Sequence, residues 1–131
     1  MSERQFLPDD PQEWLNRAKS NLIRACSEIE GVYLEDLCFD AQQAAGKAIK
    51  AVLICRKVRF PYTHDLAELL TLVAQAGQTV SADVKQAARL TRYAVAARYP
   101  GLAEPVSHEE HREAVSIAQS VVSWAEEVIS L

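Results

Sequence analysis

The sequence predicts an all-α protein, an up-and-down bundle of four long helices plus a short one. Apolar residues recur every three to four positions through most of the 131 residues, which is the spacing of one helical face. Proline, glycine and capping residues divide this pattern into five segments. No segment alternates apolar and polar residues for long enough to form a strand, so we expect no β-sheet.

The first helix should follow a polar, flexible N-terminus of ten residues, ahead of one helical domain over residues 11–131. Asp10 can cap the helix, and Pro11 suits its first position. The apolar positions continue as far as Ile29, and Gly31 predicts the helix end.

The second helix, predicted over residues 34–58, should lie at the centre of the bundle. It carries two apolar stripes instead of one, and its small residues let neighbouring helices approach closely. The stripes consist of Leu34, Leu37, Cys38, Ala41, Ala45, Ala48, Val52 and Cys55 on one side, and Phe39, Gly46, Ile49 and Leu53 on the other. The remaining face is polar and becomes basic towards its C-terminal end.

Two further helices follow a break at Pro61. Thr63 is a candidate cap for a short third helix over residues 64–75. Ser81 predicts the start of a fourth helix, which should run from residue 82 to about residue 97.

The last helix opens with a capping box formed by Ser107 and Glu110. One apolar stripe should face the bundle. Ile117, Trp124 and Leu131 add apolar surface beside that stripe, more than a lone small bundle needs. We therefore expect a homodimer.

The net charge of −4 at pH 7 argues against a constitutive nucleic-acid binder, but the charges are unevenly distributed. Residues 1–46 hold nine acidic and four basic residues, residues 47–98 hold three and nine, and residues 99–131 hold six and one. A basic central region thus lies between acidic ends.

No apolar run approaches the roughly 18 residues of a membrane span, and the N-terminus lacks a signal-peptide core, so we expect a cytoplasmic protein. Cys26, Cys38 and Cys55 form no CxxC pair and should be buried, reduced thiols. The three histidines belong to no metal-ligand cluster, so the sequence predicts neither a metal nor another cofactor.

Three phrases in order carry a family resemblance: CFDAQQAAGKAIKAVLI at residues 38–54, FPYTHDLAELL at 60–70 and ARYPG at 97–101. They resemble the HEPN family, small prokaryotic all-helical domains often encoded beside a minimal nucleotidyltransferase. The resemblance implies a helical bundle like that of nucleotidyltransferase substrate-binding subunits. It also leads us to expect an acidic residue at one position of the first phrase, where this chain has Gly46.

HEPN ribonucleases carry an Arg followed four to six residues later by His, just before the final helix, where the Arg positions phosphate and the His transfers a proton. The matching region here, Arg92–Pro100, contains no histidine. Arg59 and His64 have the right spacing but lie between the second and third helices. They are weak catalytic candidates, and the alternative is that His64 and Asp65 cap the third helix while Arg59 sits in solvent.

Basic residues of the central region could hold the phosphates of a nucleotide or of RNA, with Tyr93 or Tyr99 stacking on a base. Tyr62, His64 and the basic residues before them could also line a nucleotide site. Lys85, Arg89 and Arg92 have the spacing of one helical face. The candidate nucleotide- or phosphate-binding residues are Lys47, Lys50, Lys85, Arg89, Arg92, Arg98 and Tyr99.

Two of these interpretations stay open. For the row on the fourth helix we favour the interpretation as a solvated face paired with glutamates of the last helix. Arg98 could instead bind backbone carbonyls of the following loop, which would leave Tyr99 as a packing residue.

Three functions are compatible with these observations. The favoured one is a non-catalytic, homodimeric HEPN binding module that acts with a minimal nucleotidyltransferase in a toxin–antitoxin or nucleotide-responsive system. The second is a metal-independent HEPN ribonuclease, a toxin, that uses Arg59 and His64 or an unrecognised set of residues. The third is a small-nucleotide sensor, in which the basic region binds phosphate and a tyrosine binds the base.

Overall fold

Helices alone make up the regular structure of residues 9–96 and 105–130, the part of the chain that the computed structural model describes. The predicted all-α fold is confirmed. The bounds are α1 Pro11–Ala25, α2 Leu34–Cys55, α3 Leu66–Gln75, α4 Ala82–Lys85, a 3-10 helix Gln86–Leu90, α5 Tyr93–Ala96 and α6 His108–Ser130. No helix among the described residues is long and apolar enough to cross a membrane. The flexible N-terminus predicted for residues 1–10 lies almost entirely outside the described residues.

Helix α2 is the centre of the bundle, as its two apolar stripes predict. It contacts α1, α3, α5, α6 and the 3-10 helix. Ala45 and Val52 on one stripe and Ile49 and Leu53 on the other are fully buried. Burying each larger side chain contributes about 1.5–3 kcal/mol, so this helix anchors the hydrophobic core.

Helix α1 ends at Ala25, well before the predicted end at Gly31. The Ala25 carbonyl accepts a hydrogen bond from Nε2 of His111 in α6 at 2.7 Å, so a side chain of another helix satisfies the end of α1. Ile29, which continued the apolar spacing, is 62% exposed in the connection to α2.

Helix α2 also ends early, at Cys55 and not at Val58. Lys57 has a φ of 61°, and the amide of Val58 donates to the Leu53 carbonyl at 2.9 Å. This is a Schellman end with lysine in the left-handed position where glycine is usual. No sequence rule would place that conformation at a lysine.

The predicted fourth helix is broken into α4, the 3-10 helix and α5. Its buried residues follow a spacing of three: Val84, Ala87, Leu90 and Tyr93. That spacing suits a 3-10 helix, in which every third residue lies on the same face, better than an α-helix. The segment is also tied to α3, because the Thr91 hydroxyl accepts a hydrogen bond from the Leu66 amide at 3.1 Å.

The caps predicted for α1 and α6 are confirmed, and the structure decides between the residues predicted to cap α3. The Ser107–Glu110 capping box is present, with the Glu110 amide bonded to the Ser107 hydroxyl at 3.0 Å and the Ser107 amide bonded to the Glu110 carboxylate at 2.9 Å. Asp10 caps α1 by accepting from the Gln12 amide. For α3 the cap is not Thr63 but Asp65, which was predicted as a cap in the alternative to a catalytic His64, and it accepts from the Ala67 amide at 3.1 Å.

The apolar excess predicted on the last helix is used inside the bundle. Ile117 is only 8% exposed, and the Trp124 indole donates to the Thr79 carbonyl at 3.3 Å. Leu131 lies outside the described residues. Most of the exposed large apolar side chains lie instead at the end of α1 and in the connection to α2, namely Ile23, Ile29, Val32 and Tyr33, while Tyr62 and Val95 are exposed elsewhere.

The cysteines are not all buried, contrary to prediction. Cys38 is fully buried, whereas Cys26 and Cys55 are exposed because both helices end where these residues stand. Burial raises the pKa of the Cys38 thiol to about 11, which keeps it protonated and unreactive at neutral pH.

Candidate functional site

A cleft of about 210 Å³ opens between α1, α2 and the segment that joins α2 to α3. Lys47 and Lys50 lie about one turn apart on α2 and line it. We call it the lysine cleft. Its other lining residues include Trp14, Gln43, Gly46, Tyr62, His64 and Leu66.

Lys50 stands among three aromatic rings. Its Nζ lies 5.8 Å from the ring centroid of Trp14, 5.9 Å from that of Phe60 and 5.8 Å from that of Tyr62. Trp14 and Phe60 pack edge to face, with their centroids 6.3 Å apart. Burial among these rings lowers the pKa of Lys50, because it removes water from the ammonium group.

Lys47 belongs to a polar network between α1 and α2. Its Nζ donates to Asn21 Oδ1 at 2.8 Å, and Asn21 Nδ2 donates to Asp40 Oδ1 at 3.0 Å. Arg24 donates to the same Asp40 oxygen at 2.6 Å, so the carboxylate is already paired with a guanidinium. Burial, followed by repulsion from Arg17 and Arg24, lowers the pKa of Lys47 despite the attraction of Asp40.

The two lysines thus give the lysine cleft an uncompensated positive charge. Among the described residues, no carboxylate lies within 4 Å of either ammonium group. Partly buried ammonium groups without a counter-ion are stabilised by any anion that enters. This charge arrangement favours an anion in the cleft.

Gly46 allows the wall of the lysine cleft to close. A Cβ at this position would lie 3.3 Å from Cδ2 of Leu66, the first residue of α3, which is tighter than an ordinary contact. Gln42 holds the same wall by donating to the His64 carbonyl at 3.2 Å. Gly46 also leaves the cleft without the acidic side chain that the family resemblance leads us to expect there.

Tyr62 and His64 form the rim of the lysine cleft. Their rings lie 5.7 Å apart, edge to face, and Tyr62 is 87% exposed. An exposed ring beside a cationic site offers a surface on which a base can stack. Arg59 is exposed and does not line this cleft, so of the two catalytic candidates only His64 contributes to its surface.

A larger cleft of about 560 Å³ lies between the 3-10 helix, α5 and α6, and we call it the arginine cleft. Arg89 bonds Glu113 at 3.1 Å, and Arg92 bonds Glu110 at 3.0 Å. Hydrogen bonds from Ser107 and Arg92 lower the pKa of Glu110, so its charge persists at neutral pH. Both guanidinium groups therefore already hold carboxylates of the last helix.

The remaining candidates are dispersed. Arg92 lies over the Tyr93 ring, 4.6 Å from its centroid, and donates to the Tyr93 hydroxyl at 2.6 Å. Tyr93 is only 4% exposed, so it offers no stacking surface. Lys85 lines a different, apolar groove against α3. The broken fourth helix thus places Lys85 apart from Arg89 and Arg92, which share the arginine cleft, while Arg98 and Tyr99 lie outside the described residues.

The sequence pattern of the HEPN domain matches residues 11–128. The chain belongs to the HEPN family. TT1696 from Thermus thermophilus has a crystal structure that is similar to this HEPN chain, with 30% identity and a TM-score of 0.79 over 92% of this chain and 98% of that one. ST0689, an archaeal HEPN homologue, is similar with 25% identity and a TM-score of 0.73 over 91% of this chain and 97% of that one.

None of the curated proteins compared with this HEPN chain matches it significantly. Among the described residues, no group of three or more His, Cys, Asp or Glu side chains is placed to hold a metal ion.

Sequence reasoning named both lysines but missed their surroundings. Trp14, Phe60 and Tyr62 come from two distant segments, and no local pattern pairs either with α2. Asn21 and Asp40 are also buried polar residues whose role the sequence did not indicate. A polar residue on an otherwise apolar helix face, such as Asn21, was the one available signal.

Proposed function

We propose that this HEPN protein is a non-catalytic, homodimeric binding module that takes a nucleotide phosphate in the lysine cleft. In this proposal it acts with a minimal nucleotidyltransferase in a toxin–antitoxin or nucleotide-responsive system. The observation that carries the proposal is the pair of half-buried ammonium groups, Lys47 and Lys50, with no carboxylate to neutralise them among the described residues.

The size of the lysine cleft favours a single nucleotide over a nucleic-acid strand. At about 210 Å³ it is below the roughly 300–1,000 Å³ of sites that enclose whole drug-sized ligands, so it would enclose a phosphate and leave the base at the rim. Tyr62 stands at that rim with its ring exposed. The ligand is therefore a nucleotide held by its phosphate inside and its base outside.

The binding experiment titrates the full-length protein with adenosine and guanosine 5′-monophosphates and with ribose 5-phosphate, which lacks a base. We expect each nucleotide to bind more tightly than ribose 5-phosphate, and Tyr62→Ala to remove that difference. If none of the three ligands binds measurably, the proposed nucleotide site is wrong.

The proposal that the module is non-catalytic rests on the missing Arg-to-His motif. The ribonuclease alternative keeps one supporting observation, since His64 lines the lysine cleft. Incubation of RNA with the wild type, His64→Ala and Arg98→Ala in EDTA separates the two functions. Cleavage by the wild type that His64→Ala abolishes would make the protein an enzyme.

The homodimer is supported by exposed apolar side chains at the end of α1 and after it. Ile23 is 69% exposed, Ile29 62% and Tyr33 73%, and such exposure is unusual for a monomer when it is contiguous. Light scattering should therefore report twice the mass of one chain, and Ile23→Lys should lower it. A monomer at every concentration would exclude this part of the proposal.

The nucleotidyltransferase partner is proposed from the HEPN resemblance. Size-exclusion chromatography of the protein mixed with a minimal nucleotidyltransferase from the same genome should give a joint peak. Separate elution of the two proteins at micromolar concentration would contradict the proposed partner but would not affect the proposed nucleotide site.

A further inference from the structure

We propose that Lys50 is a modification site, acylated on Nζ by acyl phosphates that bind in the lysine cleft. Acylation would remove one of the two positive charges there. The modification itself is argued from the geometry of the cleft, whereas its effect on nucleotide binding rests on the proposed function.

The rings around Lys50 exclude water without binding its charge strongly. At 5.8–5.9 Å, the three ring centroids lie near the limit of about 6 Å for cation–π attraction, so that attraction is weak. Dehydration of the ammonium then dominates, and burial lowers the pKa of Lys50. A desolvated lysine in an apolar pocket presents more neutral, nucleophilic amine than a solvated one.

Lys50 also remains within reach of a small molecule. It is half-buried and lines the lysine cleft, so a reagent can approach Nζ from the open side. No ion pair with a described carboxylate competes for the amine. Lys57, by contrast, is exposed at the end of α2 and serves as a solvated reference close by in the chain.

Lys47 provides the reason why the acyl donor should be a phosphate. It lies three residues before Lys50 in the same cleft, and side chains at this spacing neighbour each other on a helix. Its ammonium can bind the phosphoryl oxygens of the donor, which would bring the carbonyl carbon next to the amine of Lys50. Binding and reaction then use two different lysines.

The step balances without a metal or an oxidant. The neutral amine of Lys50 forms a bond from nitrogen to the carbonyl carbon of the acyl phosphate. The bond from that carbon to the phosphate oxygen breaks, and its electron pair leaves with inorganic phosphate. The nitrogen then loses one proton to solvent, which leaves an uncharged amide among the three rings.

The test incubates the intact protein with acetyl phosphate and follows each lysine by mass spectrometry, after digestion with a protease that does not cleave at lysine. Lys50 should be acetylated at least about five-fold faster than Lys57. Equal or slower labelling of Lys50 would overturn the proposal.

A second measurement shows whether Lys47 binds the acyl donor or whether Lys50 reacts equally well with any donor. Lys47→Gln should slow the acetylation of Lys50 by acetyl phosphate at least about three-fold, but should not slow its acetylation by an uncharged acetyl ester. Equal slowing with both donors, or with neither, would contradict the role of Lys47. Circular dichroism of the variant establishes that the helices are intact.

Lys50→Arg and Lys50→Gln form a matched pair that tests how acetylation of Lys50 changes nucleotide binding. Arginine keeps the charge and cannot be acetylated, so treatment with acetyl phosphate should leave the nucleotide affinity of this variant unchanged while it lowers that of the wild type. Glutamine should bind like the acetylated protein. If the unmodified protein binds no nucleotide while Lys50 is still labelled preferentially, the proposed function fails and the modification site stands.

Discussion

The lysine cleft and the arginine cleft contain the same kinds of residue but differ in how their charges are compensated. Each holds two basic side chains and at least one tyrosine. In the arginine cleft, Glu110 and Glu113 pair with the two guanidinium groups. In the lysine cleft, no described carboxylate pairs with either ammonium group. On the proposed function the smaller cleft is the better anion site, because its ammonium groups are not already paired with described carboxylates.

The same comparison explains why counting charges along the sequence was insufficient. The basic central region contributes cations to both clefts, but the acids that neutralise the arginines come from the last helix, which belongs to the acidic C-terminal region. Tertiary structure decides which cations keep their charge available for a ligand.

The largest expected effect comes from placing a carboxylate in the lysine cleft with Gly46→Asp. A carboxylate near two partly buried ammonium groups competes directly with phosphate, so nucleotide affinity should fall at least about thirty-fold in calorimetric titration. Gly46→Asn is the control, because it adds the same Cβ contact with Leu66 and nearly the same volume without the charge. Equal losses for the two variants would mean that packing, not charge, controls the site.

A smaller loss is expected when one ammonium group is removed. Lys47→Gln should weaken nucleotide binding about five- to ten-fold, because glutamine keeps a donor but not the charge and one net hydrogen bond contributes about 0.5–1.5 kcal/mol. Lys85→Gln, at an exposed lysine of another groove, should leave the affinity unchanged. Similar losses for both variants would indicate a diffuse electrostatic effect instead of a defined site.

Removing a carboxylate should make the arginine cleft resemble the lysine cleft, because one of its basic side chains would then lack a carboxylate partner. Glu113→Gln leaves Arg89 without its partner at 3.1 Å, so this cleft should acquire weak phosphate binding that the wild type lacks. Amide chemical-shift changes around Arg89 on titration with inorganic phosphate would show it. If the wild type and the variant respond alike, the ion pair does not control access to Arg89.

The smallest effect is the pH dependence of the lysine cleft. A bound phosphate favours the charged lysines and raises their lowered pKa values, so binding takes up protons and affinity falls as pH rises towards the ordinary lysine range. In the same window the unfolded chain binds more protons than the folded one, so the free energy of unfolding rises with pH from these two groups. Calorimetry in buffers of different ionisation enthalpy measures the uptake, and proton release on binding would contradict it.

Much of the fold could be predicted because its signals are local. The two apolar stripes of α2 and the capping box at Ser107 depend on neighbouring residues, and both were found. The break in the fourth helix was also local, since Val84, Ala87 and Leu90 recur every three residues, but that spacing was interpreted at the α-helical period.

The candidate site was less predictable because its parts come from separate segments. Lys50 was named from the sequence, but the rings around it belong to α1 and to the segment after α2, which only packing brings together. The end of α1 was misplaced for the same reason, because its last carbonyl is satisfied by His111 of α6.

The most direct test of the central claim is calorimetric titration of adenosine 5′-monophosphate into the wild type and two double variants, Lys47→Gln/Lys50→Gln and Arg89→Gln/Arg92→Gln. Because the arginines are already paired and the lysines are not, the lysine double variant should lose at least about thirty-fold in affinity, and the arginine double variant should stay within about two-fold of the wild type. The opposite ranking would place the ligand in the arginine cleft and contradict this account.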